Sequence, residues 1–116
     1  MTKDEKAQKK SIIGEQIELG NGRFKDDEVN ILYELVKNIT NLNGKREERQ
    51  SHTDSFSSEG KFHRDETWIY TLLQEAGKIF IKEEHSYKDD DGQAGDYIEE
   101  HTTARDILNV LKKMKK

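Results

Sequence analysis

The sequence predicts a small α+β domain that is mainly helical and carries one antiparallel β-hairpin. Apolar residues recur at helical spacing over residues 29–42, 66–76 and 104–114, which is typical of amphipathic helices. The run KIFIKEE at 78–84 is rich in residues that favour strands, and a polar stretch with two glycines separates it from a second such run at 96–99. This arrangement predicts two strands joined by a turn.

Length and composition limit the kind of protein this is. A chain of 116 residues fits one domain. Ile, Leu, Val and Phe make up about 22% of it, just above the ~20% at which disorder becomes the default. The chain has no cysteine, so disulfide and thiolate chemistry are excluded. It also lacks an apolar run of the ~18 residues that a membrane span needs, and its N-terminus lacks the apolar region of a signal peptide. We therefore expect a soluble, cytoplasmic protein that makes no contact with a membrane.

The N-terminal segment is polar. Residues 1–10 contain no large apolar side chain after the initial methionine, so we expect them to be disordered. A single domain is then expected over residues 11–116. The segment 11–24 fits either a short helix or a strand, because its apolar residues match both periods.

A helix and a long loop follow. Asp26 or Asp27 can cap the helix over residues 29–42, and an Asn-Gly pair ends it. From about 45 to 63 the chain is charged and serine-rich, with only two phenylalanines available for burial. We interpret this segment as a long polar loop, either functional or a mobile linker.

The second half predicts a helix, the hairpin and a last helix. Asp65 or Thr67 can cap a helix over residues 66–76, which Gly77 ends. Beyond the hairpin, the threonine pair at 102–103 can cap the final helix. Lysines crowd the C-terminal end of that helix, where the helix dipole favours cations.

The hairpin repeats the triplet Glu-Glu-His, at 83–85 and at 99–101. Residues two apart on a strand share a face, so the right antiparallel register would bring together Glu83, His85, Glu99 and His101. Two imidazoles and two carboxylates suit zinc or manganese. The spacing matches no known metal motif, however, and a solvated, charged strand face explains the same residues. We therefore predict no metal and no cofactor, and keep these four residues as the candidates if one binds.

Catalysis is not predicted. The sequence contains no glycine-rich phosphate loop, no Gly-x-Ser-x-Gly turn and no cysteine nucleophile. The acidic run at 89–92 fails the calcium-loop pattern, because the first and twelfth ligand positions would fall on Tyr87 and Ile98. We expect a binding protein rather than an enzyme.

One family resemblance covers residues 65–114. A helix ends with a leucine and a glycine, a strand follows at once, and a polar turn leads to a strand with a tyrosine and then to a threonine-capped helix. This pattern resembles the second half of winged-helix domains of the PadR-like regulators. The matching positions are Leu73, Gly77, Ile79, Ile81, Tyr97 and Thr102 or Thr103.

The resemblance implies a winged-helix-like fold in which residues 66–76 form the recognition helix. It implies a DNA-binding set made up of Lys61, His63, Arg64, Thr67, Tyr70, Thr71, Gln74 and Lys78. It also implies a homodimer whose contact is the apolar stripe of the last helix, namely Ile107, Leu108, Leu111 and Met114. The chain departs from the pattern in two ways: the segment 45–63 stands where another helix is usual, and the turn between the strands is acidic.

Three functions remain open. The first is a small DNA-binding protein, regulatory or accessory to a mobile element. The second is an acidic inhibitor or immunity-type protein that binds a basic protein partner and resembles nucleic acid in charge, since residues 78–101 carry a net charge of −5. The third is a metal-dependent enzyme. The sequence favours the first.

Overall fold

The protein is dominated by one antiparallel sheet. The computed structural model describes residues 1–57 and 60–114. Strands make up 44% of the structure and helices 35%. The four strands follow one another across the sheet in the order β1-β2-β3-β4. The elements are α1 (Lys3–Gly14), α2 (Asp26–Lys37), α3 (Ile39–Leu42), β1 (Arg46–Ser57), β2 (Gly60–Glu75), β3 (Lys78–Asp89), β4 (Ala94–His101) and α4 (Ala104–Met114).

The helices cover one face of the sheet at one end only. There the sheet contributes Tyr70, Ile79 and Ile81 to a core that the helices complete. Alternation along a strand places Tyr70 and Leu72 on the same face as their β3 neighbours. The helices supply most of the fully buried apolar side chains, namely Ile13, Val29, Leu32, Ile107, Leu108 and Val110, and the segment between α1 and α2 adds Ile17.

Local hydrogen bonds fix where two predicted helices begin. The backbone N–H of Lys25 donates to the Glu28 carboxylate at 2.9 Å, so the N-cap of α2 is Lys25, one residue before the first of the two predicted caps. At α4 the backbone N–H of Asp106 donates to Thr103 Oγ1 at 3.3 Å. The helix predicted over 104–114 and both strands of the predicted hairpin are confirmed. The segment 29–42 is helical as predicted, but Asn38 divides it into α2 and α3.

The segment before α2 ties the two ends of the chain together. The backbone N–H of Ile79 donates to the Gln16 carbonyl at 2.9 Å, and that of Ala104 donates to the Glu18 carbonyl at 2.8 Å. Glu18 also forms a parallel bridge with Thr103. The start of β3 and the start of α4 are therefore both anchored on the same short stretch.

The prediction of a mainly helical, winged-helix-like fold is wrong. Residues 66–76, predicted as a recognition helix, form β2 and the start of the next turn. The segment TWIYTLL, at 67–73, has large side chains on both faces when it is drawn as a strand. Its apolar residues therefore fit a strand buried on both faces as well as a helix. Its β-branched and aromatic residues favour strand.

The turn that follows is a second signal for a strand. Ala76 and Gly77, with φ of 50° and 75°, join Glu75 to its register partner Lys78. A two-residue turn with both residues at positive φ matches the twist of antiparallel strands. Gly77 therefore ends a strand rather than a helix.

The predicted loop at about 45–63 is also corrected. It forms β1 and the first residues of β2, apart from residues 58 and 59, which lie outside the described residues. Both faces of this ribbon are polar, so it carries no apolar alternation by which sequence reasoning detects a strand. β1 pairs with β2 along its full length, which satisfies the backbone groups on the side that faces β2.

Residues 1–10, predicted to be disordered, lie mostly in α1. Its N-terminus is capped by Thr2, whose hydroxyl accepts the backbone N–H of Glu5 at 3.1 Å. Lys6 pairs with Asp26 at 3.2 Å, and Lys9 Nζ donates to Asn30 Oδ1 at 2.9 Å. Polar contacts with α2 hold this helix in place, and such contacts have no hydrophobic signature in the sequence.

The sheet extends well beyond its helices, and the molecule measures 60 Å along its longest axis. β3 pairs with β2 only as far as Arg64, so past that point β1 and β2 continue as a two-stranded ribbon. We call the helix-covered part the packed end. We call residues 51–57 with 60–65 the distal ribbon, which comprises the two-stranded part and the adjoining rows in which Arg64 and Asp65 still pair with β3. Among the described residues, no helix is long and apolar enough to cross a membrane.

Candidate functional site

An aromatic row crosses three strands where the helices no longer cover the sheet. Trp68, His85 and Tyr97 are direct register neighbours on β2, β3 and β4. The Trp68 and His85 rings stack with centroids 4.9 Å apart and an interplanar angle of 2°. The Tyr97 ring lies 4.8 Å from His85 at a tilt of 58°. Cross-strand contacts of this kind stabilise neighbouring strands and hold the rings in place.

Tyr87 continues the row toward the distal ribbon. Its ring lies across Gly95, where an added Cβ would come within 2.5 Å of the ring. Gly95 therefore allows Tyr87 to lie flat against β4, and the ring centroid comes within 6.4 Å of Tyr97. The close approach of the Tyr87 ring explains why a glycine stands within this strand.

An arginine completes the surface. The Arg64 guanidinium lies 4.9 Å from the Tyr87 ring centroid and 5.9 Å from that of Phe62. Arg64 also makes two hydrogen bonds to Asp89, at 2.6 and 3.1 Å. We define the aromatic face by its six residues, which are Phe62, Arg64, Trp68, His85, Tyr87 and Tyr97.

Carboxylates hold Arg64 and His85 in place. The hydrogen bonds from Arg64 lower the pKa of Asp89, and the carboxylate in turn raises the pKa of Arg64. His85 Nε2 lies 2.8 Å from Glu66 Oε2. Arg64 is thus neutralised by a buried aspartate and is not a free positive charge.

The aromatic face is open to solvent. Tyr97 is 56% exposed, and the other five side chains are partly exposed. The rings therefore form a platform that begins at Trp68, which packs partly against the core, and extends to the exposed Tyr97. Carboxylates surround it, from Glu66 and Asp89 on one side to Glu83 and Glu99 on the other.

The residues predicted to bind DNA do not share a surface. Tyr70 and Thr71 are buried at 4% and 9% exposure, and Gln74 is engaged by Gln16, whose Oε1 lies 2.8 Å from its Nε2. Lys78 Nζ donates to the Glu15 carbonyl at 3.4 Å. Strand alternation places Arg64, Tyr70 and Gln74 on the side of the sheet that the helices cover. The other predicted residues lie on the opposite side, namely Lys61, His63, Thr67, Thr71 and Lys78.

The predicted dimer contact lies largely inside the domain. Ile107 and Leu108 are at most 1% exposed and belong to the core. Leu111 and Met114 pack partly against that core. Because these side chains bury the helix on its own sheet, Ile107 and Leu108 are not available to a second copy.

Three of the four metal candidates converge, and the fourth lies apart. His101 Nε2 lies 3.3 Å from Glu83 Oε1, and Glu83 is the register partner of Glu99. Atoms of these three residues lie within 4.8 Å of one another. His85 instead turns toward Glu66. The convergence of Glu83 with His101 was anticipated, but the fourth candidate belongs to the aromatic face.

Sequence reasoning missed the aromatic face because it placed Trp68 in the interior of a helix. Between Phe62 and Trp68 the same-face residues Arg64 and Glu66 are as polar as their neighbours, so the sequence shows no alternation there that would have marked the strand. Comparison with protein families, with curated proteins and with solved structures finds no match to this chain.

Proposed function

We propose that this protein is a protein-binding module whose partner presents basic side chains to the aromatic face. The observation that carries the proposal is the stacked row of Trp68, His85 and Tyr97, flanked by Tyr87 and Arg64, in which Tyr97 is 56% exposed. This is the second of the functions that the sequence left open.

The composition of the face favours a protein partner. Trp, Tyr and Arg dominate the residues that carry binding energy at protein interfaces. Their rigid rings offer a large contact area at a small entropic cost. Here cross-strand stacking already fixes the rings, so binding would order few side chains.

Charge indicates what the partner carries. The strands and turn at 78–101 hold a net charge of −5, and Glu83 and Glu99 lie one register row from the aromatic residues. An arginine or lysine of the partner can stack on Tyr97 and pair with these carboxylates at the same time. The same charges repel phosphates, and a DNA-binding domain more often shows a clear basic face.

The experiment uses a photo-crosslinking residue placed at Tyr97 in the full chain. Ile98 is the matched control, because it is the next residue on β4, is 64% exposed and points to the opposite face. Crosslinked proteins from the source cell are identified by mass spectrometry and then purified. We expect the same partner to be captured repeatedly from position 97 and not from position 98.

Affinity for the purified partner gives the quantitative test. Tyr97→Ala should weaken binding by about 2 kcal/mol or more if the residue is a hot spot, whereas Ile98→Ala should leave affinity unchanged. Higher salt should slow association. Equal effects of the two substitutions, or binding of duplex DNA that is stronger than that of any captured protein, would overturn the proposal.

A further inference from the structure

A second cluster of ionisable side chains lies on the face of the distal ribbon opposite to the aromatic face. The sequence His-x-Asp occurs once on each strand, as His52-Thr53-Asp54 and as His63-Arg64-Asp65. The antiparallel register sets His52 opposite Asp65 and Asp54 opposite His63. Because residues two apart share a face, all four side chains form one square in which imidazoles and carboxylates alternate.

The side chains of this square converge. His52 Nδ1 lies 2.5 Å from Asp65 Oδ1, and His52 Nε2 lies 2.9 Å from Asp54 Oδ1. Asp54 Oδ1 also contacts His63 Nδ1. The two imidazole rings stack with centroids 5.5 Å apart. One possible ligand atom from each of His52, Asp54 and His63 lies within 4.8 Å of the others.

From this arrangement we propose that His52, Asp54, His63 and Asp65 bind a divalent cation of the zinc class. Two imidazole nitrogens with two carboxylate oxygens are a donor set that zinc accepts in tetrahedral geometry, at about 2.0–2.2 Å per ligand. Ligand atoms of His52, Asp54 and His63 already lie within 4.8 Å of one another. Asp65 lies beside the other ring nitrogen of His52, so its carboxylate has to rotate toward the other three residues to complete the set. The imidazoles select against magnesium and calcium, which prefer oxygen ligands alone.

The position of the site suits a structural role in the ribbon. The four side chains come from both strands, so a bound ion would link β1 to β2 where the helices provide no packing. Asp90 also faces the cluster, with its Oδ2 at 3.7 Å from His63 Nε2. An ion here would therefore reach from the ribbon to the turn after β3.

The neighbouring acidic group is a weaker candidate. Glu83, Glu99 and His101 also bring ligand atoms within 4.8 Å of one another, but they offer one imidazole rather than two. Zinc sites that hold the ion firmly use more nitrogen or sulfur donors. This group serves instead as an internal control, since it lies on the same sheet and also combines carboxylates with an imidazole.

The proposal is independent of the proposed function, because odd-numbered β2 residues such as His63 face away from Trp68 and its neighbours. Metal binding can therefore be tested without a partner protein. Success or failure in one experiment leaves the other unaffected.

The test uses the full chain, stripped of metal with a chelator and titrated with zinc chloride by calorimetry. We expect one equivalent to bind. His52→Ala and His63→Ala should each weaken the affinity at least as much as loss of an outer-shell partner does, which is about 10–100-fold. His101→Ala is the matched control and should bind zinc as the wild type does.

Two spectroscopic readouts locate the ion. Cobalt(II) in place of zinc should give the strong visible absorption of a tetrahedral site, and His63→Ala should abolish it. Zinc should shift the imidazole NMR signals of His52 and His63 but not that of His101. Circular dichroism confirms that each variant is folded. No heat at millimolar zinc, or binding that depends on His101 and not on His63, would overturn the proposal.

Discussion

The strands β1 and β2 run through both the packed end and the distal ribbon. The two regions have different sources of stability. At the packed end, Tyr70 is 4% exposed and belongs to a core to which α1, α2, α3 and α4 all contribute. In the distal ribbon, Phe56 is 82% exposed and the described side chains of β1 are all exposed or half-exposed. One continuous hydrogen-bonded ladder joins the two parts.

The difference shows that a strand can continue past its core when its backbone partners continue with it. Apolar burial supplies most of the folding free energy, so the packed end stabilises the whole sheet. The ribbon adds paired backbone groups and side-chain contacts whose net contribution is small. Its surface is therefore free to carry residues chosen for binding, and both candidate sites lie partly or wholly outside the packed end.

The largest expected effect comes from removing core volume. Ile81→Ala should lower the free energy of unfolding by about 3 kcal/mol, because Ile81 is 2% exposed and large-to-small core changes cost about 2–5 kcal/mol. Phe56→Ala, the matched change in the ribbon, should stay within about 0.5 kcal/mol. Urea unfolding of both variants measures the contrast. A comparable loss for Phe56→Ala would show that the ribbon is packed in solution.

A smaller effect is expected from a buried charge at the packed end. Glu28 accepts the backbone N–H of Lys25 and pairs with Arg105 at 2.6 Å and Lys112 at 3.3 Å. These contacts, led by the backbone hydrogen bond, lower its pKa from 4.5 to about 2. Glu28→Gln should cost about 2 kcal/mol at neutral pH, as hydrogen bonds to charged groups do.

The pH dependence of stability follows from the direction of that shift. A carboxylate with a lowered pKa in the folded state stabilises fully above its ordinary value of 4.5, and this contribution disappears as pH falls toward about 2. Glu28→Gln should flatten the stability curve in that window. Asp54 has a pKa that His63 lowers, but it lies exposed in the ribbon, so Asp54→Asn should change the curve little. Equal flattening by both variants would remove the distinction between the two regions.

The smallest expected effect is a gain in stability at the turn between β2 and β3. Ala76 has a φ of 50°, which costs a residue with a Cβ some free energy. Ala76→Asn creates the Asn-Gly pair that such turns favour, and should stabilise the protein by about 0.5–1 kcal/mol. Gly77→Ala, at a φ of 75°, should have the opposite sign. Thermal unfolding distinguishes them, and a loss of stability in Ala76→Asn would contradict the turn assignment.

The sequence predicted those elements in which burial and periodicity agree. The helices α2 and α4 carry apolar stripes with polar backs and capping residues, and β3 follows a glycine with an alternating apolar run. β2 was missed because residues 67–73 are apolar on both faces, which suits a strand and a helix equally. β1 was missed because it is polar on both faces, and its strand conformation depends on pairing with β2 rather than on its own residues.

The candidate sites were harder to predict from the sequence than the helices and strands, because they too depend on which strands pair and in which register. Trp68, His85 and Tyr97 come from three strands, and only the register makes them neighbours. The two His-x-Asp triplets are visible in the sequence, but a shift of one residue would move one pair to the other face. Convergence of Glu83 with His101 was anticipated because both lie in one short hairpin, where few registers are possible.

The anchoring of β3 and α4 on the stretch around Gln16 and Glu18 sets an order for folding. Each strand pairs with its neighbour in sequence, so the sheet can form through short loop closures that cost little entropy. The core is different, because Ile107 and Leu108 fill it from α4 while Ile13 and Ile17 fill it from the other end of the chain. We therefore expect the β2–β3 hairpin at Ala76 to form first. The N-terminal helices should pack firmly against the sheet only when α4 joins them.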